Sequence, residues 1–209
     1  MNKLFLDTEL ENIISQIKTF SKDSKSLDYH LISSIDISKF PVPIIDNFGN
    51  FRDGPRAQRD VYELVIQNNL RDVSNRRNPC IYIFEVTSNT PSKTIIEEYK
   101  KYTALQKSIK INRKCSAIKS NRTDGFQDDI SSKILYVGKS EKPLDGRIVV
   151  HFGYYEKQVA GLQLIYWAKE IGLHLNLHVF EITDRKYHDF LSVMEQLFFL
   201  QLKPLIGVR

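Results

Sequence analysis

Hydrophobic residues recur at the three- and four-residue spacing of a helix face in several stretches of the chain. This spacing predicts five helices, over residues 9–21, 56–73, 94–109, 155–171 and 186–202. Runs of β-branched, aromatic or alternating hydrophobic residues favour strands over residues 80–86, from residue 134, and over residues 173–180. Residues 30–46 are interrupted by Pro41 and Pro43, so at most short edge strands are expected there.

Composition narrows the class of protein. The chain has 209 residues, 42% hydrophobic and 26% charged, which indicates a folded domain with a core and excludes wholesale disorder. The net charge of +5 favours a polyanionic partner. The two cysteines form no metal-binding or disulfide pattern. No apolar run is long enough to cross a bilayer, and acidic residues interrupt the N-terminal stretch where a signal peptide would lie. We therefore expect a cytoplasmic protein.

The hydrophobic run that begins at Ile134 ends in Tyr136-Val137-Gly138-Lys139, and two side chains that could take part in chemistry, an arginine and a histidine, follow it. Arg147 and His151 are four residues apart, so on a helical turn they share one face. A cation there could clamp a phosphate, and an imidazole or a phenol could move a proton. The glycine would let a substrate approach the backbone closely. The stretch is a candidate site for chemistry on a phosphorylated substrate.

The order of these and later residues resembles the GIY-YIG nuclease superfamily over residues 79–209. The matching pieces are Ile81-Tyr82, Tyr136-Val137-Gly138, Arg147, His151, Glu195 and Lys203-Pro204. Each piece alone occurs often by chance, whereas their succession on the expected strands and helices is specific. Three features depart from the family pattern. Cys80 stands where the family usually has glycine, Gly207 follows where it usually has asparagine, and residues 87–131 separate the two signatures.

With the helix and strand pattern, the resemblance implies an α+β fold, a small antiparallel sheet flanked by helices. A mainly helical N-terminal region, residues 1–78, would serve as a DNA-recognition or dimerisation arm. Residues 79–209 would form the catalytic domain, with a basic insertion at residues 87–131. The implied activity is hydrolysis of DNA phosphodiester bonds with one divalent metal, Mg²⁺, for which Mn²⁺ could substitute.

The resemblance also implies catalytic roles. Glu195 would be the metal ligand, since one carboxylate can hold Mg²⁺ when water and phosphate complete the octahedron; the alternative is an ordinary surface glutamate. Tyr82 would activate or orient the attacking water with support from Tyr136, and both could instead be core tyrosines. Because a phenol is a weak base at neutral pH, Lys139 or the metal would have to assist it.

The resemblance also implies catalytic roles for Arg147 and His151, the two residues that share one face of a helical turn. Arg147 would clamp the scissile phosphate, for which a guanidinium is better shaped than an amine. Its alternative role is a surface ion pair. His151 would relay a proton or bind phosphate, and its alternative role is packing between helices.

Residues 99–123 contain eight basic residues and no acidic one. The stretch could follow the backbone of double-stranded DNA, with Tyr99 and Tyr102 at its start, or be a solvated loop. The basic residues are Lys100, Lys101, Lys107, Lys110, Arg113, Lys114, Lys119 and Arg122.

A compact chain whose DNA-recognition segments surround the catalytic core looks most like a type II restriction enzyme of this superfamily. As a homodimer, such an enzyme would cut both DNA strands. The alternatives are a structure-selective repair or recombination nuclease and a nucleic-acid-binding module that has lost the chemistry.

Overall fold

The structure is a computed structural model that describes residues 12, 15, 27–42, 69–108, 115–116, 132–154 and 160–207. Its strands are β1 (Leu27–Asp36), β2 (Cys80–Val86), β3 (Ile134–Ser140) and β4 (His174–Ile182). Its helices are α1 (Arg71–Ser74), α2 (Ser92–Ser108), α3 (Leu144–Phe152) and α4 (Leu191–Leu202). Short 3-10 segments cover Ile37–Lys39, Leu164–Tyr166 and Arg185–Phe190.

The four strands form one antiparallel sheet in the order β1-β4-β2-β3. The fold is therefore α+β, as the sequence predicts. Strand β2 is central, because Tyr82 pairs with Gly138 of β3 on one side and with Val179 of β4 on the other. The predicted strands at residues 80–86, 134 onward and 173–180 are confirmed. The helix predicted at 94–109 is confirmed as α2, and the one at 186–202 as a 3-10 turn followed by α4.

The N-terminal part of the sheet differs from the expectation of short edge strands. Strand β1 has ten residues and pairs with β4 from Leu27 to Asp36, with one irregularity after Ile32. Pro41 does not interrupt the strand, because it lies beyond the 3-10 segment Ile37–Lys39 that follows the strand. The predicted helix 9–21 and most of 56–73 lie outside the described residues, and a mainly helical N-terminal region stays a prediction. Strand β1 itself belongs to the same sheet as the strands of residues 79–209.

The sheet has two buried faces, because side chains alternate along each strand. We call them the Tyr82 face and the Ile83 face. Helix α4 covers the Ile83 face with Leu191, Phe198 and Leu202, and these residues pack on Ile83 and its neighbours. The Tyr82 face is covered by α2, α3 and residues 162–168, which together form the larger core.

The helix predicted over residues 155–171 is wrong for residues 160–171. This segment consists of turns and one 3-10 segment, and Gln163 has a left-handed φ of 58°. Gly161 lies so close to α3 that a Cβ there would be 2.4 Å from the carbonyl oxygen of Val150. The hydrophobic residues that suggest a helix instead contact the core of the Tyr82 face from consecutive turns. Gly172, which follows this segment, has a left-handed φ of +59°.

In the part of the chain that the structure describes, no helix has the length and apolar character needed to span a membrane.

Candidate active site

The close packing of β2 against β3 forms the floor of the site. Gly138 faces Tyr82 in the register of the two strands. A Cβ at Gly138 would be 2.6 Å from the Tyr82 hydroxyl and 2.6 Å from Cε1 of Tyr136. The two rings therefore occupy the space that any larger residue would need, and their centroids lie 6.2 Å apart. The glycine of the second signature serves here to bring two tyrosines together.

Helix α3 places His151 directly on Tyr82. Nε2 of His151 lies 2.8 Å from the Tyr82 hydroxyl oxygen, and the main-chain N–H of Leu162 donates to Nδ1 at 3.3 Å. Because Nδ1 accepts, the proton of a neutral imidazole is on Nε2, which donates to Tyr82. Burial and the nearby Arg147 cation hold the pKa of His151 well below its ordinary value, so the ring is neutral. His151 thus uses both nitrogens inside the protein.

Arg147 completes this cluster one helical turn before His151. Its guanidinium lies beside the hydroxyls of both Tyr82 and Tyr136, close enough for an electrostatic interaction with each of them. The Tyr136 ring also packs on His151, with centroids 4.7 Å apart. The structure therefore brings together four of the six predicted catalytic residues. We call Tyr82, Tyr136, Arg147 and His151 the tyrosine cluster.

Burial divides the tyrosine cluster into an inner and an outer part. Tyr82 and His151 are completely buried, at 0% exposure, whereas Tyr136 and Arg147 are partly exposed. Burial raises the pKa of Tyr82, so its hydroxyl keeps its proton at neutral pH. The inner pair therefore orients the outer pair, and Arg147 and Tyr136 are the groups positioned to contact a ligand. A guanidinium fixed in this way can bind a phosphate through its remaining N–H groups.

Glu195 and Lys139 belong to the other face of the sheet. Lys139 pairs with Ile81, and its ammonium contacts the hydroxyl of Ser192 at 2.7 Å and the carboxylate of Glu141 at 2.9 Å. Glu195 lies one turn after Ser192, in the stripe of α4 that faces the sheet, and is 4% exposed. The tyrosine cluster and Glu195 are thus attached to opposite faces, on both sides of the edge strand β3.

Glu195 offers a donor that fits Mg²⁺. Carboxylate oxygen is a ligand that this ion prefers, and Mg²⁺ commonly takes its remaining ligands from water and phosphate. A carboxylate buried at 4% exposure beside Leu191, Phe198 and Phe199 carries a desolvation cost that a neighbouring cation would reduce. The donor type and its surroundings are therefore compatible with the predicted ion.

Gly207 connects the two faces. A Cβ at this glycine would be 3.1 Å from the Phe199 ring of α4 and 3.8 Å from the Tyr136 ring. Its φ is +122°, a conformation that residues with a side chain rarely adopt. The backbone at this position accordingly favours glycine. The contact also places α4 beside the outer tyrosine of the cluster.

A second polar cluster lies on the Tyr82 face, towards β1. Asp28, His30 and Glu181 form the one group of His, Cys, Asp or Glu residues, within the described ranges, that is compact enough to share a metal ion. Arg76 already supplies positive charge there, with Nη1 2.6 Å from Nε2 of His30 and 3.4 Å from the Glu181 carboxylate. Asn78 donates to the same carboxylate at 3.0 Å. The arrangement is an ion-pair network around an arginine.

The predicted DNA-binding residues are only partly described. Lys100, Lys101 and Lys107 are exposed on α2, and Lys101 forms an ion pair with Glu98. Tyr99 and Tyr102, at the start of the basic stretch, are buried, and Tyr99 donates to the carbonyl oxygen of Ser116 at 2.7 Å. The other predicted residues lie outside the described ones: Lys110, Arg113, Lys114, Lys119 and Arg122.

Sequence reasoning missed two contributors to the site. The N–H of Leu162 fixes the proton position of His151, and a main-chain donor leaves no residue signature. Ser192 holds Lys139 and precedes Glu195 by one turn, which the helical spacing of 192 and 195 could have indicated.

Comparison with protein-family models, with curated proteins and with solved structures finds no match to this chain.

Proposed function

We propose that the protein is a Mg²⁺-dependent DNA endonuclease of the type II restriction class, hydrolysing phosphodiester bonds. The observation that carries the proposal is the tyrosine cluster, in which Arg147 lies beside the hydroxyls of two tyrosines, and one of these, Tyr82, is hydrogen-bonded to a neutral, fully buried histidine. Such an arrangement fixes a cation at the protein surface while keeping the groups behind it uncharged. It is a phosphate-binding device built on the motif order that resembles GIY-YIG nucleases.

In this proposal Arg147 binds the scissile phosphate and stabilises the charge that develops on it. A guanidinium can form two parallel hydrogen bonds to phosphate oxygens, and here it lies against the hydroxyls of Tyr82 and Tyr136. Positioning of this kind removes the cost of ordering a flexible side chain during the reaction. The cluster thus acts chiefly through electrostatic preorganisation.

The two tyrosines have different tasks. Tyr82 is completely buried and keeps its proton, so it transmits the orientation of His151 to Arg147 and does not touch the substrate. Tyr136 is partly exposed and lies beside Arg147, where its hydroxyl can orient a water molecule at the phosphate. Of the two, Tyr136 is therefore the tyrosine that we assign to contact the reacting groups.

Glu195 would hold the metal on the other side of β3. When bound, Mg²⁺ supplies Lewis-acid stabilisation of the phosphoryl oxygens. The exposed Lys100, Lys101 and Lys107 on α2 would contribute contacts to the DNA backbone that carry no sequence information.

The proposal is tested by incubating the protein with supercoiled plasmid, genomic DNA and branched DNA in the presence of Mg²⁺. Glu195→Gln keeps the shape of the side chain and removes its charge, so we expect it to abolish cleavage. Glu170→Gln changes an exposed glutamate and serves as the matched control, with cleavage unchanged. Discrete fragments from genomic DNA that disappear in Glu195→Gln alone would support a restriction enzyme.

The other outcomes separate the alternatives. Cleavage confined to branched DNA would identify a structure-selective repair or recombination nuclease. Salt-sensitive DNA binding without cleavage under Mg²⁺ or Mn²⁺ would indicate a binding module that has lost the chemistry. A protein that neither binds nor cuts DNA would refute the proposal.

A further inference from the structure

Polar side chains form a row of hydrogen bonds across the Ile83 face, near the end of β2. His178 of β4 pairs with Ile83 on one side and with Leu31 of β1 on the other. Glu85 and Tyr29 lie two residues from these partners along their strands, so all three polar side chains project from the same face. We call Tyr29, His178 and Glu85 the His178 triad.

The hydrogen bonds of the His178 triad run in one direction. The Tyr29 hydroxyl lies 2.9 Å from Nδ1 of His178, and Nε2 of the same ring lies 2.8 Å from Oε2 of Glu85. An ionised carboxylate only accepts, so the ring proton is on Nε2, and Nδ1 accepts from the hydroxyl. The side-chain amide of Asn176 donates to the same carboxylate oxygen at 3.0 Å. A hydroxyl, a base and a group that orients the base are therefore connected in order, which is the arrangement of an activated nucleophile.

Exposure distinguishes the members of the triad. Tyr29 is 41% exposed, whereas His178 is 5% exposed and the Glu85 side chain 17%. A substrate can therefore reach the hydroxyl, while the base and its carboxylate lie behind it. A phenol is a weak nucleophile while it keeps its proton, and an imidazole at hydrogen-bond distance can take that proton during attack. The imidazolium that forms is then paired with the Glu85 carboxylate.

The surroundings of the hydroxyl favour an uncharged, apolar substrate. The Tyr29 ring packs on Phe180 with centroids 5.0 Å apart, and Leu31, on the same face, is 48% exposed. The negative charge of Glu85 disfavours an anion such as a phosphodiester. An acyl group meets both conditions. Because an ester of tyrosine is itself an aryl ester, the acyl donor must be activated to at least the same degree.

We propose that the His178 triad is a second catalytic site, in which the Tyr29 hydroxyl is the nucleophile for acyl transfer from uncharged aryl esters. The Tyr29 oxygen bonds to the carbonyl carbon, and the bond from that carbon to the aryl oxygen breaks. His178 takes the phenol proton on Nδ1 and gives it to the departing aryl oxide. Water then attacks the tyrosyl ester with His178 as base, the carboxylic acid leaves, and Tyr29 recovers its proton. The proposal does not rest on the nuclease activity.

The test uses 4-nitrophenyl acetate with the full chain, in the absence of DNA and Mg²⁺. We expect a burst of about one equivalent of 4-nitrophenolate per protein, as accumulation of an acyl-enzyme predicts, and mass spectrometry of peptides should place the acetyl group on Tyr29. Tyr29→Phe should abolish the burst. His178→Gln should slow it by about a hundredfold or more, the typical contribution of a general base. Glu85→Gln should give an intermediate rate, because its amide oxygen can still accept from Nε2 but carries no charge.

Two variants serve as matched controls. Tyr187→Phe changes a partly exposed tyrosine of the 3-10 segment before α4, and His174→Gln changes a histidine of β4 whose side chain is 50% exposed. Both should keep the wild-type burst, and thermal melts show whether each variant is folded. A wild type without a burst, acetylation confined to lysines, or equal bursts in the wild type and a folded Tyr29→Phe would each overturn the proposal. Equal burst rates in the wild type and a folded His178→Gln would do the same.

Discussion

Tyr82 and Gly138 face each other across β2 and β3 so closely that a Cβ on the glycine would lie 2.6 Å from the tyrosine hydroxyl. That hydroxyl is the acceptor for Nε2–H of His151 and lies beside the guanidinium of Arg147. A displacement of the Tyr82 ring would therefore change the position of both partners. The geometry of the candidate site depends on one residue having no side chain.

The first prediction concerns Gly138→Ala. The added methyl group must displace the rings of Tyr82 and Tyr136, and we expect a loss of about 1–3 kcal/mol of unfolding free energy, the usual cost of overpacking a core. Gly146→Ala is the control, because nothing lies within 4 Å of a Cβ there and the residue is in helix α3. It should stabilise the protein by about 0.4–1 kcal/mol. Urea unfolding curves compare the two, and equal effects would refute the prediction.

The second prediction concerns the Tyr82 hydroxyl. Tyr82→Phe removes the acceptor of a fully buried His151 N–H, so we expect a loss of about 1–3 kcal/mol in unfolding free energy. Tyr29 provides a matched comparison, since its hydroxyl also bonds a histidine, His178 at 2.9 Å, but its side chain is 41% exposed. Water can replace the lost bond in Tyr29→Phe, which should cost less than Tyr82→Phe. The reverse order in chemical denaturation would contradict the assigned contacts.

The third prediction separates binding from chemistry at Arg147. Arg147→Lys keeps the charge and loses the planar pair of donors, so single-turnover cleavage by the proposed nuclease should slow by about a hundredfold. DNA affinity, to which many basic residues contribute, should change little. Arg185→Lys, at an exposed arginine before α4, should alter neither quantity. A variant whose affinity falls while its cleavage rate stays normal would assign Arg147 to DNA binding alone.

Local patterns predicted several of the elements that carry the site, whereas α3 was expected only as one helical turn from Arg147 to His151. Strands β2 and β3 and helices α2 and α4 follow from runs of β-branched residues and from helical spacing, which are properties of neighbouring residues. The shared face predicted for Arg147 and His151 is present in α3, and the pairing of β2 with β3 brings both residues together with Tyr82 and Tyr136.

Contacts between segments that are far apart in the sequence could not be predicted from local patterns. The turns at residues 160–171 depend on Gly161 packing against Val150, 11 residues earlier, as the sequence numbering shows. Strand β1 is stabilised by its pairing with β4, which no local pattern encodes. The placement of Lys139 on the face opposite Tyr82 was in principle accessible, since it follows Gly138 and side chains alternate along a strand.

The last prediction is a dependence of stability on pH that originates at His151. In the folded protein its pKa is held well below the ordinary 6.5 by burial and by Arg147, whereas the unfolded chain has the ordinary value. Below pH 6.5 the unfolded state therefore binds a proton that the folded state does not, and stability should fall by up to about 1.4 kcal/mol per pH unit. The carboxyls with lowered pKa values, among them Asp36 and Glu141, affect stability only nearer pH 4. Denaturation between about pH 5 and 8 should show a shallower dependence for His151→Gln, and the wild-type dependence for His174→Gln, whose side chain is 50% exposed. Identical slopes for the wild type and His151→Gln would show that the buried imidazole is not the source.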